Sequence, residues 1–147
     1  MAQAAMTVEE ISALMRAGFE GWERTGVTIE KAEHGAARLR LKIGGRSLRV
    51  GGTVSGPAMF MIADTALYIA VLASVGPKAL AVTTQMSINF LRRPPPADLI
   101  ADCRLLKVGR RLAFGEVAIF SDGQEAPVAH ASGSYAIPQG KEPGSAG

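Results

Sequence analysis

Cys103 is the only cysteine in 147 residues, so no intramolecular disulfide can form, and its alternating neighbours read as strand around an inert thiol. Histidine is nearly as scarce: His34 and His130 stand far apart, neither with the spacing of a metal-ligand or triad motif, so no metal or other cofactor is expected. Aromatic residues make up only 5% of the chain, and the net charge of +3 is spread out. Nucleic-acid surfaces usually combine a dense basic stripe with interleaved aromatics, so a polynucleotide partner is not expected. The basic residues fall instead into short groups at 38–42, 92–93 and 107–111, a distribution that can meet an anionic small molecule.

The first residues show no basic start followed by an apolar run, so a secretory leader is not read and a reducing, cytoplasmic setting is expected. One long apolar run, 58–75, could suggest a membrane span. It contains Asp64, however, and Gly56-Pro57 and Gly76-Pro77 bound it; a central Asp costs about 3 kcal/mol on insertion scales, so a buried helix of a soluble protein is expected. With 48% hydrophobic and 20% charged residues, the composition suits a single domain, 1–138, followed by a flexible Gly/Pro/Ser-rich tail, 139–147.

Helical spacing of Ile11, Leu14, Met15, Phe19 and Trp22 predicts an amphipathic helix over 7–22, with Thr7 and Glu10 as a capping box. Strict alternation then predicts strands at 27–33 and 37–43 around a His34-Gly35 turn, the second closed by Gly44-Gly45. A glycine-rich stretch, 49–57, leads into the apolar helix, with Ser55 as N-cap and Pro57 in its first turn. Four strands follow, at 81–91, 99–108, 112–121 and 128–137. The breakers between them, Arg93-Pro94-Pro95-Pro96, Gly109-Arg110 and Asp122-Gly123, suggest that successive strands are antiparallel neighbours. The expected fold class is α+β: about six antiparallel strands wrapped around one long apolar helix, because a helix apolar on nearly every side must be covered on nearly every side.

Asp64 is the only charged residue between Gly51 and Lys78. Desolvation of a carboxylate costs several kcal/mol, raises its pKa and fits it to act as a base near neutrality. The helix start complements it, because unsatisfied N–H groups there can polarise a carbonyl, and Gly56 N–H is the candidate donor. Eight residues of helix separate the two, about 12 Å along the axis. One helix therefore does not bring both groups to one carbon, whereas two copies related by a twofold axis can, and a symmetric homodimer with shared sites is expected.

Four segments resemble the hot-dog-fold acyl-CoA thioesterases, in particular the group related to the phenylacetate-degradation thioesterase. They are Gly52-Thr53-Val54-Ser55-Gly56, Ala63-Asp64-Thr65-Ala66, Asn89-Phe90-Leu91-Arg92 with its nearby prolines, and Val108-Gly109-Arg110-Arg111-Leu112-Ala113. The resemblance implies hydrolysis of a CoA thioester by a homodimer or a homotetramer. It assigns Asp64 as general base or nucleophile, Gly56 of the partner subunit as the carbonyl-polarising donor, and Thr83, with Thr84 as the alternative, as the orienting hydroxyl. Ser55, Phe90, Arg92, Lys107 and Arg110 become substrate-binding candidates, the last three toward the coenzyme A phosphates. Two positions depart from the pattern: relatives commonly carry His where this chain has Ser55, and Asn where it has Arg49. A non-catalytic acyl-CoA or fatty-acyl binding module is the alternative that those departures raise, and a hot-dog hydratase is disfavoured because no His lies near Asp64 in sequence.

Overall fold

The computed structural model describes residues 2–44, 48 and 52–140. Arg49, Gly45 of the second strand's closing pair and the tail beyond Gly140 lie outside the described residues. In chain order the elements are α1 (Val8–Gly18), a short 3-10 turn (Trp22–Thr25), β1 (Val27–Glu33), β2 (Ala36–Leu41), α2 (Gly56–Val75), β3 (Val82–Phe90), β4 (Leu99–Val108), β5 (Leu112–Ser121) and β6 (Ala129–Ala136). Thr7 and Glu10 form the reciprocal capping box that starts α1. The helix stops at Gly18, four residues short of its predicted end. The chain there passes through Phe19 in extended conformation and Gly21 at φ +80°, which places Trp22 in the 3-10 turn instead.

The six strands form one antiparallel sheet in the order β1-β2-β4-β5-β6-β3. Glycine turns close two of its hairpins as the breakers suggest, with Gly35 and Gly123 both at positive φ. One expectation fails. β3 does not pair with β4 but crosses to the far side of the sheet to pair with β6, which leaves β3 as an edge strand. Three consecutive prolines lack N–H donors and have fixed φ, so they suit a crossover and not a tight hairpin.

The sheet wraps α2, whose 66–73 stretch is wholly buried. By length and apolar composition this helix could cross a membrane, but most of its apolar surface packs against β1 to β6 and α1. Closeness of sheet and helix depends on two glycines. Gly115 and Gly133 face each other across β5 and β6 beneath Leu67. A Cβ at Gly133 would lie 2.7 Å from the Gln85 carbonyl and 3.2 Å from Leu67. Gly133→Val is therefore expected to cost about 3 kcal/mol or more through overpacking; an unchanged urea midpoint would show that the helix does not depend on this close approach.

On the outer face, the alternating arginines of β2 are already engaged. Arg38 pairs with Glu30 and Asp102, and Arg40 with Glu30, Asp98 and Asp122. These half-exposed pairs add little stability each. They do remove two of the basic residues from any role in holding an anion.

Candidate active site

The start of α2 is built as its sequence demands. Ser55 is extended, as a residue before Gly-Pro can readily be, and its Oγ accepts a hydrogen bond from Ala58 N at 3.2 Å. Met59 N reaches the Ser55 carbonyl, also at 3.2 Å, and Pro57 has no N–H to satisfy. Gly56 N–H remains, with no acceptor among the described residues. Gly56 lines a cleft of about 500 Å³ whose walls also include Phe90, Arg92 and Arg93. Arg92 is anchored there by a 2.6 Å hydrogen bond from its guanidinium to the Pro127 carbonyl.

Two turns further along, Asp64 is half-buried, not fully desolvated as its apolar neighbours suggest. The reason is that α2 is covered unevenly. Pro57, Phe60, Met61, Asp64 and Thr65 lie on a stripe of its first half that the sheet leaves open, with Phe60 41% exposed. Asp64 Oδ1 accepts two short hydrogen bonds, from Thr83 Oγ1 at 2.6 Å and from Tyr135 Oη at 2.7 Å. The Tyr135 hydroxyl also lies 3.1 Å from the Asp64 carbonyl oxygen. Asp64 Oδ2 has no hydrogen-bond partner among the described residues.

A β-bulge decides which threonine takes part. Thr83 pairs with Tyr135 and Gln85 with Ser134, so Thr84 is the extra residue between them. Without that insertion, strand alternation would turn Thr84 inward together with Met86 and Ile88. With it, Thr83 stands beside Tyr135 under the helix, and the Thr84 hydroxyl is spent on Ser134. The choice between these threonines is invisible to alternation counted along the sequence.

Asp64, Thr83 and Tyr135 lie in the wall of a second cleft, of about 650 Å³, completed by apolar groups that include Met15, Phe19, Trp22, Met61, Tyr68, Leu80 and Val82. Phe19 meets Tyr68 edge-on at 5.8 Å, and Tyr68 lies 6.0 Å from Tyr135. Burial pushes the Tyr135 phenol well above its usual range, and the neighbouring Asp64 carboxylate adds to this. Tyr135 therefore stays protonated and donates at any working pH. It is the residue that sequence reasoning missed. A signal was there, in the inward positions Ala129, Ala131, Gly133 and Tyr135 of β6, where three small residues give way to one large residue with a polar tip.

Structure thus separates the candidates into two groups on one chain. Asp64 and Thr83 meet in one cleft; Gly56, Phe90 and Arg92 meet in the other, with Ser55 beside them as cap. Lys107 and Arg110 are exposed and line neither cleft. Their β4–β5 turn lies at the Thr83 end of the sheet, because Ala113 pairs with Tyr135. Among the described residues no three His, Cys, Asp or Glu side chains gather as metal ligands would. Cys103 is buried, and burial, helped by Glu116, pushes its thiol up to about 12, which keeps it protonated and unreactive.

The family model described as the thioesterase superfamily matches residues 51–128. A Silicibacter sp. protein of known structure, provisionally assigned as a thioesterase, is 42% identical, with a TM-score of 0.84 over 92% of this chain and 94% of that one. The E. coli PaaI protein from the phenylacetic acid degradation operon shares the fold at 22% identity, with a TM-score of 0.77 over 88% of this chain and 91% of that one. A curated Halobacterium salinarum relative, provisionally assigned as an esterase, is 30% identical over 123 residues, which is 76% of this chain and 80% of its own length.

Proposed function

The chain belongs to the thioesterase superfamily, and from that premise we propose that it hydrolyses acyl-CoA thioesters to the free acid and coenzyme A, at sites shared by two copies. The observation that carries this reading is the Asp64 carboxylate, with one oxygen tied down by two hydroxyl donors and the other without a partner among the described residues, in the wall of an apolar cleft.

Edge strand β3 supports the sharing of sites. It presents nine residues that are exposed or half-exposed, Val82 and Phe90 among them, and an unpaired edge of this length is a template for pairing with another chain. Antiparallel pairing of two copies of β3 across a twofold axis sets the Thr83 end of one against the Phe90 end of the other. Asp64 of one protomer is thereby brought toward Gly56 of the partner subunit, and the open stripe of α2 is covered.

In this reading Asp64 takes a proton from water as the water oxygen adds to the thioester carbonyl carbon. Gly56 N–H of the partner subunit holds the resulting oxyanion. Collapse breaks the C–S bond, and the proton passes to the leaving thiolate. Direct attack by Asp64 would give an acyl-enzyme anhydride that water then cleaves, with the same products. The aromatic and methionine walls beside Asp64 suit an apolar acyl group. At the other end of the site, Arg92 of the partner subunit and Lys107 and Arg110 of the β4–β5 turn lie toward one end of the paired sheet, where they can meet the anionic coenzyme.

Steady-state hydrolysis of a panel of aliphatic and aromatic acyl-CoAs tests the reading. Stoichiometric release of acid and free thiol is expected, with the highest kcat/KM among bulky apolar acyl groups. Tight binding of acyl-CoA without any acid release would make the chain a binding module instead.

A further inference from the structure

We propose that Tyr135 is a positioning residue for the reaction, which together with Thr83 commits Asp64 Oδ1 to the protein and leaves Oδ2 as the oxygen presented to the substrate. The inference rests on the reading of Asp64 as the reacting carboxylate. It goes further in assigning a role to a residue on the last strand and in distinguishing the two carboxylate oxygens.

The geometry favours such a role over simple packing. Tyr135 is only 4% exposed, yet its hydroxyl reaches both the side chain and the main-chain carbonyl of Asp64, at 2.7 and 3.1 Å. One hydroxyl proton bridging that fork fixes the carboxylate relative to its own helix, and the 2.6 Å bond from Thr83 fixes it relative to the sheet edge. The ring itself is held by Tyr68, whose hydroxyl donates to the Ala79 carbonyl at 2.9 Å. No lysine, arginine or histidine lines this cleft among the described residues. Glu20 and Tyr68 are the other titratable groups on its walls. Two hydroxyl donors, and not a cation, therefore hold Asp64 Oδ1 in place within this chain.

Tyr135→Phe tests this, read against Asp64→Asn in the same assay. Loss of a hydrogen bond to a charged group is expected to lower kcat about tenfold to a hundredfold, with KM nearly unchanged. Because a carboxylate deprived of a donor binds its proton more tightly, the acidic limb of kcat/KM should move to higher pH, by about one unit. A merely structural role would lower the melting temperature but leave that limb in place. Should Tyr135→Phe fail to fold, site-specific 3-fluorotyrosine at this position keeps the ring and hydroxyl and makes a stronger donor; the limb should then move to lower pH. An unmoved limb and wild-type kcat in the folded variant, with Asp64→Asn inactive, would overturn the role of Tyr135 alone. Retained turnover in Asp64→Asn would overturn the reading beneath it.

Discussion

Asp64→Asn is expected to lower kcat at least about a hundredfold, the lower bound of what a positioned base contributes, while the protein stays folded. The structure indicates why this substitution is clean. An asparagine Oδ1 can still accept the hydrogen bonds from Thr83 and Tyr135, and the amide replaces an oxygen that has no partner among the described residues. Removing the charge also removes the cost of holding, against apolar walls, a carboxylate that has no ion-pair partner among the described residues, so the melting temperature should hold or rise, as it commonly does when a functional group is sacrificed. A purely structural Asp64 would give the opposite pattern: a lower melting temperature, and activity that tracks the folded fraction. Free thiol release and thermal unfolding, measured on the same preparation, separate the two; turnover within about tenfold of wild type would exclude Asp64 as the base.

Much of this site was legible because its chemistry is local. Ser55, Gly56 and Pro57 mark a helix start by their residue types alone, and their cap is formed as those types require. Asp64 stood out because nothing around it is charged. What stayed hidden depends on residues distant in sequence. Tyr135 is 71 positions from Asp64, and nothing in its own strand says that the helix carboxylate lies above it. The inward turn of Thr83 depends on a bulge opposite Tyr135 and Ser134, which alternation counted along the sequence does not reveal. Position in the sheet was hidden in the same way: β3 reads as one more strand in a run of four, and only the crossover through Pro94, Pro95 and Pro96 makes it an edge. Even the exposure of Asp64 follows from that edge, since a strand beyond β3 would have covered the open side of α2.

Gly56→Pro and Asp64→Asn should each lower hydrolysis at least about a hundredfold as homodimers, yet regain about half the wild-type rate when forced into one heterodimer with one intact site. Proline is chosen because it removes the single N–H at issue. Ser55 already has the extended conformation that precedes proline, at φ −74° and ψ 152°. A Cβ at position 56 would meet only the Phe90 ring, at 3.5 Å, an ordinary van der Waals contact. Loss of one oxyanion donor is expected to cost about a hundredfold to a thousandfold in kcat. In the heterodimer, the Asp64 that remains in the Gly56→Pro chain faces the Gly56 that remains in the Asp64→Asn chain, and the other site carries both defects. Sites confined to one protomer would behave differently, since each would keep its own lesion and the heterodimer would be as inactive as its parents. Co-expression with two different tags and purification through both isolates the mixed species. Its recovery tests the association of two copies, and its turnover tests whether Asp64 and Gly56 act on one carbonyl across their interface; failure to recover it, or recovery without activity, would return both residues to their own chains.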